Sequence, residues 1–191
     1  MSLKPTLLGA ALLAATLTVS LSAHASGTLK LNPPASTVNA GDAVVIDVSG
    51  VGFTDKVVGG GFSLNFNPAV LSLQSVSIDT VTWEFVSSAG LIDNASGTLS
   101  DVYFNSFKPV LPTGDFNVAR LTFTAKADGT SPISLSASGG FPFANDQVEL
   151  IDVSYLNASV QVGAVPEPAS VGMMLSGLAG LVGWQRRRKA A

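Results

Sequence analysis

The sequence predicts an all-β fold, a sandwich of eight or nine short strands, on three observations. Between residues 26 and 164 apolar and polar residues alternate instead of recurring at helical spacing. The β-branched runs are short and are punctuated by Gly, Pro, Asn and Asp. No internal stretch of about 12 residues or more combines a 3.6-residue period with end caps. There is also no repeat of fixed period, which excludes a solenoid or a propeller.

The elements follow in order. Thr28 to Leu31 is a short first strand ended by Asn32-Pro33-Pro34, and the Gly41-Asp42 turn introduces the β-branched run Ala43 to Ser49. Gly60 to Phe66 alternates with Phe62, Leu64 and Phe66 inward, before Asn67-Pro68 turns the chain and Val70 to Ile78 begins another strand. At most a turn of helix starts at Ala69. Later runs are Gly97 to Phe104, Asn117 to Lys126, Ile133 to Ala137 and Gln147 to Val162, the last broken at Asn157-Ala158.

The sandwich alone does not explain the composition. The 191-residue chain is 47% hydrophobic and 12% charged, with mean hydropathy +0.43, more apolar than an ordinary soluble domain, and its two ends carry the excess. Residues 1–25 read as a secretory signal peptide, passed through the export translocon and removed by signal peptidase. Lys4 precedes the uncharged run Leu7 to Leu21, and Ala23-His24-Ala25 supplies the small-x-small cleavage pattern before Ser26. At the other end Pro166 and Pro168 break any preceding structure and open a helix. Ala169 to Trp184 is a charge-free stretch of 16 residues, rising about 24 Å as a helix. The cations Arg186, Arg187, Arg188 and Lys189 stay cytoplasmic by the positive-inside rule.

Residues 165–191, with Val165-Pro166-Glu167-Pro168, the apolar stretch and the basic tail in that order, resemble the PEP-CTERM sorting signal of exported bacterial proteins. The resemblance implies an exosortase-type membrane protease-transpeptidase as partner. It also implies transient anchoring in the inner membrane, removal of helix and tail, and delivery to the cell surface or an exopolysaccharide matrix.

These assignments constrain the chemistry of residues 26–164. The chain has no Cys, and its single His, His24, lies in the segment predicted to be removed. Ser-His-Asp and Cys-His nucleophile systems, thiol redox chemistry and the usual zinc ligand sets are thereby excluded. The segment holds five cations, Lys30, Lys56, Lys108, Arg120 and Lys126, against twelve acids, for a net charge of −7. Nucleic-acid binding through phosphate neutralisation is excluded. Glu84 and Glu149 are its only glutamates, and most aspartates sit in predicted turns, a poor basis for a paired-carboxylate glycosidase. The expectation is a protein that is not an enzyme and holds no cofactor beyond a candidate calcium ion.

The run Gly61-Phe62-Ser63-Leu64-Asn65-Phe66-Asn67-Pro68-Ala69-Val70-Leu71 is similar to the cohesin-like family, in which an inward-alternating strand ends in an aromatic-(Asp/Asn)-Pro-x-x-Leu turn. Val38-x-Ala40-Gly41-Asp42, Val118 to Lys126 and Asn157-Ala158-Ser159-Val160 fit the same pattern. The resemblance implies a single nine-stranded antiparallel jelly-roll, related in fold to carbohydrate-binding modules, whose members include binders of dockerin domains in calcium-dependent surface complexes.

Three groups are candidate sites. Trp83, Tyr103 and Phe107 fall in the least regular stretch, with Phe85 and Phe104, and form a candidate ligand platform of the kind that stacks on sugars or anchors a protein. Asp146, Glu149 and Asp152 offer hard oxygen ligands for calcium, although Asx residues also dominate turns for conformational reasons. Phe141-Pro142-Phe143 is either an exposed loop tip or a core plug. The expected function is an exported, surface- or matrix-sorted, non-catalytic module binding an envelope protein or a polysaccharide. The alternative is a passive matrix spacer, and a glycan-acting enzyme is the remote one.

Overall fold

The computed structural model describes residues 26–163; the segment read as a signal peptide, with Ala23 and Ala25, and the segment read as a sorting signal, from Val165 onward, lie outside the described residues. Thirteen strands run in the order β1 (Gly27–Asn32), β2 (Ala35–Val38), β3 (Ala43–Phe53), β4 (Val57–Asn65), β5 (Leu71–Ile78), β6 (Ser87–Ser88) and β7 (Leu91–Asp93). They continue with β8 (Thr98–Asn105), β9 (Gly114–Ala125), β10 (Gly129–Ala137), β11 (Ala144–Asn145), β12 (Val153–Leu156) and β13 (Ala158–Val162). No helix occurs among the described residues.

Two sheets face each other. The smaller has the order β12-β1-β3-β9-β5, and the larger β2-β13-β10-β4-β8-β6, with β11 added on β4 and β7 on β8. The alternation seen in the sequence sets the layers: Val44, Ile46 and Val48 of β3 are buried, as are Phe62 and Leu64 of β4 and Leu121 and Phe123 of β9. Five rings close a circle at one end of this core. Phe53, Phe116, Trp83, Phe104 and Phe143 follow one another with centroids 4.5–5.7 Å apart, joining both sheets.

Both ends of the domain change sheets. β1 and β12 pair in parallel in the smaller sheet, and their continuations β2 and β13 pair in parallel in the larger one. The crossings fall at the cis Asn32-Pro33 bond and at Asn157, whose Oδ1 accepts the Leu135 N–H at 2.9 Å. Gln147 to Asp152, expected as strand, is a loop instead, because Asn145 Oδ1 captures the N–H groups of Gln147 and Glu149 and turns the chain. After Asn67-Pro68 the expected turn forms without becoming a helix: Asn67 Oδ1 takes the Ala69 N–H at 3.0 Å, and its carbonyl takes Val70 and Leu71.

A second amide joins the layers. Asn94, between β7 and β8 of the larger sheet, accepts the Leu73 N–H at 2.8 Å and donates to the Leu73 carbonyl at 3.0 Å. Leu73 lies on β5, the edge of the smaller sheet, beside a register shift between Leu73 and Ser75. The side chain thus supplies both halves of a missing ladder pair.

Candidate functional site

The outward face of the larger sheet is shaped by glycines. A Cβ on Gly60 would lie 2.6 Å from the Phe143 ring, and one on Gly61 2.8 Å from the Cβ of Phe141. Phe143 is buried and Phe141 is 38% exposed, so the two phenylalanines of Phe141-Pro142-Phe143 clasp β4 from opposite faces. The segment is both core plug and surface. Outside, Phe141 stacks on Tyr103 of β8, centroids 4.3 Å apart and planes 27° apart.

Beside this pair lies a depression of about 220 Å³, floored by Gly59 and Gly60 and walled by Tyr103, Phe141 and Pro142, with Asn105 at its rim. A Cβ at Gly59 would meet Asn105 Nδ2 at 2.4 Å, which keeps the floor bare. Next to it Ser63 Oγ accepts from Asp101 N–H, Ser136 Oγ donates to the Ser63 carbonyl, and Ser138 Oγ donates to Asp101. An aromatic shelf with a small polar border can seat a side chain of a partner and fix its orientation.

The expected platform is therefore split. Trp83 is 1% exposed; its ring completes the aromatic circle and its indole N–H donates to the Asn117 carbonyl at 2.8 Å, so it belongs to the core and is no ligand platform. Tyr103 pairs with Phe141, which the platform did not include. Phe107, 64% exposed, stacks edge-on with Phe85 at 4.5 Å. Glu84 holds that corner: its carboxylate accepts the Phe107 N–H and the Ser106 hydroxyl, both at 2.9 Å. The backbone N–H of Phe107 chiefly, helped by Ser106 and Lys108, holds the Glu84 carboxyl below the usual range.

The calcium candidates do not converge. Among the described residues no three His, Cys, Asp or Glu side chains form a group able to hold a metal ion. Asp146 pairs with Lys56 at 3.5 Å, Glu149 accepts from the buried amide of Asn145 at 3.2 Å, and the Asp152 carbonyl receives the Ser26 N–H. Their contacts go to three separate partners, and the turn itself is made by Asn145. Tyr155 is raised above the ordinary tyrosine value by burial first and by the Asp152 charge second.

A family model described as the cohesin domain matches residues 29–162. The chain belongs to the cohesin family. The cohesin domain is followed by a match to the PEP-CTERM protein-sorting motif over residues 164–189. No curated protein sequence matches the chain. Among solved structures, a type I cohesin–dockerin complex from Clostridium thermocellum aligns with a TM-score of 0.60 at 11% identity, covering 72% of this chain and 99% of its own. The sixth cohesin of scaffoldin B from Acetivibrio cellulolyticus, in complex with a Cel5 dockerin, gives 0.59 at 17%, covering 72% and 99%. A non-cellulosomal cohesin from the archaeon Archaeoglobus fulgidus gives 0.58 at 14%, covering 75% and 95%. At these identities the likeness is one of fold.

Asn105 and the glycine floor were not among the sequence candidates, and Phe141 was a candidate only as a loop tip or plug, not as the partner of Tyr103. Their signal was the run Gly59-Gly60-Gly61, since three glycines in a strand mark a close approach by something else.

Proposed function

We propose that this cohesin-family protein is an exported, non-catalytic binding module that captures a protein partner on the outer face of its larger sheet, at Tyr103 and Phe141. The observation that carries this is the stacked pair over a glycine floor. A strand interior gives up side-chain packing at Gly59 and Gly61 and gains an open apolar seat with Asn105 beside it. Family membership supports a protein partner, and the cohesins of Clostridium thermocellum and Acetivibrio cellulolyticus named above are in complex with dockerins. A dockerin-like module is the partner class this suggests.

The sorting motif supports a route in which an exosortase-type enzyme acts at Val165-Pro166-Glu167-Pro168 while Arg186, Arg187, Arg188 and Lys189 hold the tail in the cytoplasm. The functional form is then a domain at the cell surface or in the surrounding matrix.

Capture of envelope and secreted proteins on the full chain, compared with a Tyr103→Ala, Phe141→Ala double variant, tests the binding surface. A partner retained by the parent and lost with the double variant is the expected result. Equal retention by both, or none by either, overturns it. Alanines at Pro166, Glu167 and Pro168 test the route: the variant should accumulate unprocessed in the inner membrane, and its normal appearance at the surface overturns the assignment.

A further inference from the structure

The smaller sheet turns outward a surface of a different kind. Strand register sets Lys30 of β1, Ser49 of β3 and Asn117 of β9 side by side. The neighbouring row is Asn32, Asp47, Arg120 and Ser77, one from each of β1, β3, β9 and β5. With strands about 4.8 Å apart, that row spans roughly 14 Å.

This face is not flat. Val48 pairs with Ala119 and Ser49 with Asn117, leaving Val118 as an extra residue on β9. Val118 and Ala119 are both buried, while Asn117 and Arg120 on either side are exposed. The strand therefore dips between the two polar side chains. Two depressions, of about 330 and 290 Å³, open over this dip, and Asn117 lines both.

The dip is held in place. The Asp79 N–H donates to the Val118 carbonyl at 2.9 Å, and the Trp83 indole donates to the Asn117 carbonyl at 2.8 Å. A bulge whose two successive carbonyls are bonded by another segment is a fixed element that re-aims its side chains.

The chemistry along the rows is uniform. Lys30 and Arg120 donate, Asp47, Asp79 and Asp115 accept, and Asn32 and Asn117 do both. The acceptors are preset: Asp115 takes the Gly52 N–H at 2.9 Å, and Asp47 takes Arg120 Nε at 2.8 Å. Among the described residues the side chains of Lys30, Asn32, Asn117 and Ser77 have no hydrogen-bond or ion-pair partner, which leaves them available. A protein interface core is enriched in aromatic side chains and poor in charge, and this trough is the reverse. Three carboxylates against two cations also give it no attraction for a polyanion. Paired donors and acceptors along a groove match a chain of hydroxyl groups.

We propose that this trough binds a neutral, hydroxyl-rich polysaccharide, independently of the protein-binding face on the opposite sheet. Asn117 and Arg120 contact the chain, and Trp83 positions them through the bulge.

The test is native affinity electrophoresis of the full chain in mild detergent, through gels containing hydroxyethyl cellulose, galactomannan, dextran or polygalacturonate. At least one neutral polymer should retard the parent. Asn117→Ala and Arg120→Ala should each weaken that retardation about tenfold, one lost charged or bidentate contact being worth about that factor. Tyr103→Ala should leave it unchanged. Asn117→Ala keeps the carbonyl that Trp83 holds, so an unchanged melting temperature certifies its fold, and Lys30→Ala serves as a further variant should Arg120→Ala melt early. Absence of retardation by every neutral polymer, retardation by polygalacturonate alone, or retardation that survives the Asn117 and Arg120 substitutions overturns the proposal.

Discussion

Replacing Asn94 by Asp changes one atom group at the joint between the two sheets. The amide now donates to the Leu73 carbonyl at 3.0 Å and accepts the Leu73 N–H at 2.8 Å. Asn94→Asp keeps the acceptor and removes the donor, so a carboxylate oxygen faces a carbonyl. Loss of the hydrogen bond costs about 1 kcal/mol, and the part-buried oxygen left without a donor about 1–2 kcal/mol more, for a total of about 2–3 kcal/mol. At roughly 4 °C per kcal/mol in a domain of this size, Tm should fall by about 8–12 °C at pH 7. The loss carries a pH signature. The substituted carboxyl is stabilised in its protonated form in the folded protein, because only that form can donate to Leu73, so its folded pKa lies above the unfolded value. The deficit relative to the parent is full well above the folded value and shrinks as pH falls through it toward the ordinary value of about 4. Parallel thermal melts of parent and variant from pH 7 to pH 4 read this directly. A Tm within about 2 °C of the parent at pH 7, or a gap that fails to narrow on acidification, refutes the bridging role.

Other substitutions probe separate parts of the molecule. Trp83→Phe removes the donor to Asn117 and part of the aromatic circle, and should cost about 2–4 kcal/mol in urea denaturation; a loss under about 1 kcal/mol would show that the bulge stands without the indole. Gly61→Ala would put a methyl 2.5 Å from the Val102 carbonyl and 2.8 Å from the Phe141 Cβ, so it should strain the β4–β8 pairing, displace Phe141 and reduce partner capture as much as Phe141→Ala does; unaltered capture would show that Phe141 does not depend on the bare Gly61 position. The Glu84 carboxyl, depressed by the Phe107 N–H, adds stability that is present above the unfolded glutamate value and lost as pH falls through the lower folded value. Glu84→Gln should therefore flatten the acid limb of the Tm profile below about pH 4.3, and an identical acid limb would contradict the assignment. A chelator such as EDTA should leave Tm within about 1 °C, because Asp146 and Glu149 are satisfied by Lys56 and Asn145; a drop of several degrees would restore the calcium reading.

The fold was legible where burial alone decides conformation. Ala43 to Ser49 and Gly60 to Phe66 alternate because one face of each run is core, and those runs are strands up to Asn65 in the second. The loop from Gln147 to Asp152 escaped because its apolar spacing resembles a strand, while the deciding group, the Asn145 amide, acts through hydrogen bonds that periodicity does not record. The same limit applies to the site. Trp83 and Phe107 both lie in the irregular stretch between Thr80 and Lys108, yet one ring is enclosed by Phe104 and Phe116 from distant strands and the other is exposed against Phe85. Tyr103 was readable as a candidate, but its partner Phe141 arrives from 38 positions away in sequence through a clasp around Gly60 and Gly61. The dip at Val118 depends on a one-residue register shift against β3, which no single strand reveals.

The parallel terminal ribbons have a mechanical consequence. Ser26 emerges where β3 ends, its carbonyl taking the Thr54 N–H, whereas Gly163 leaves beside Val38 at the end where β3 begins. Traction between these two points runs along the strands. It loads the four register pairs of β1 with β12 and the four of β2 with β13 together, in shear, instead of peeling them one after another. Resistance to such a pull is set by the unfolding rate under load and not by equilibrium stability. A module pulled from its C-terminal end while its N-terminal end is restrained would meet that load with both sheets at once.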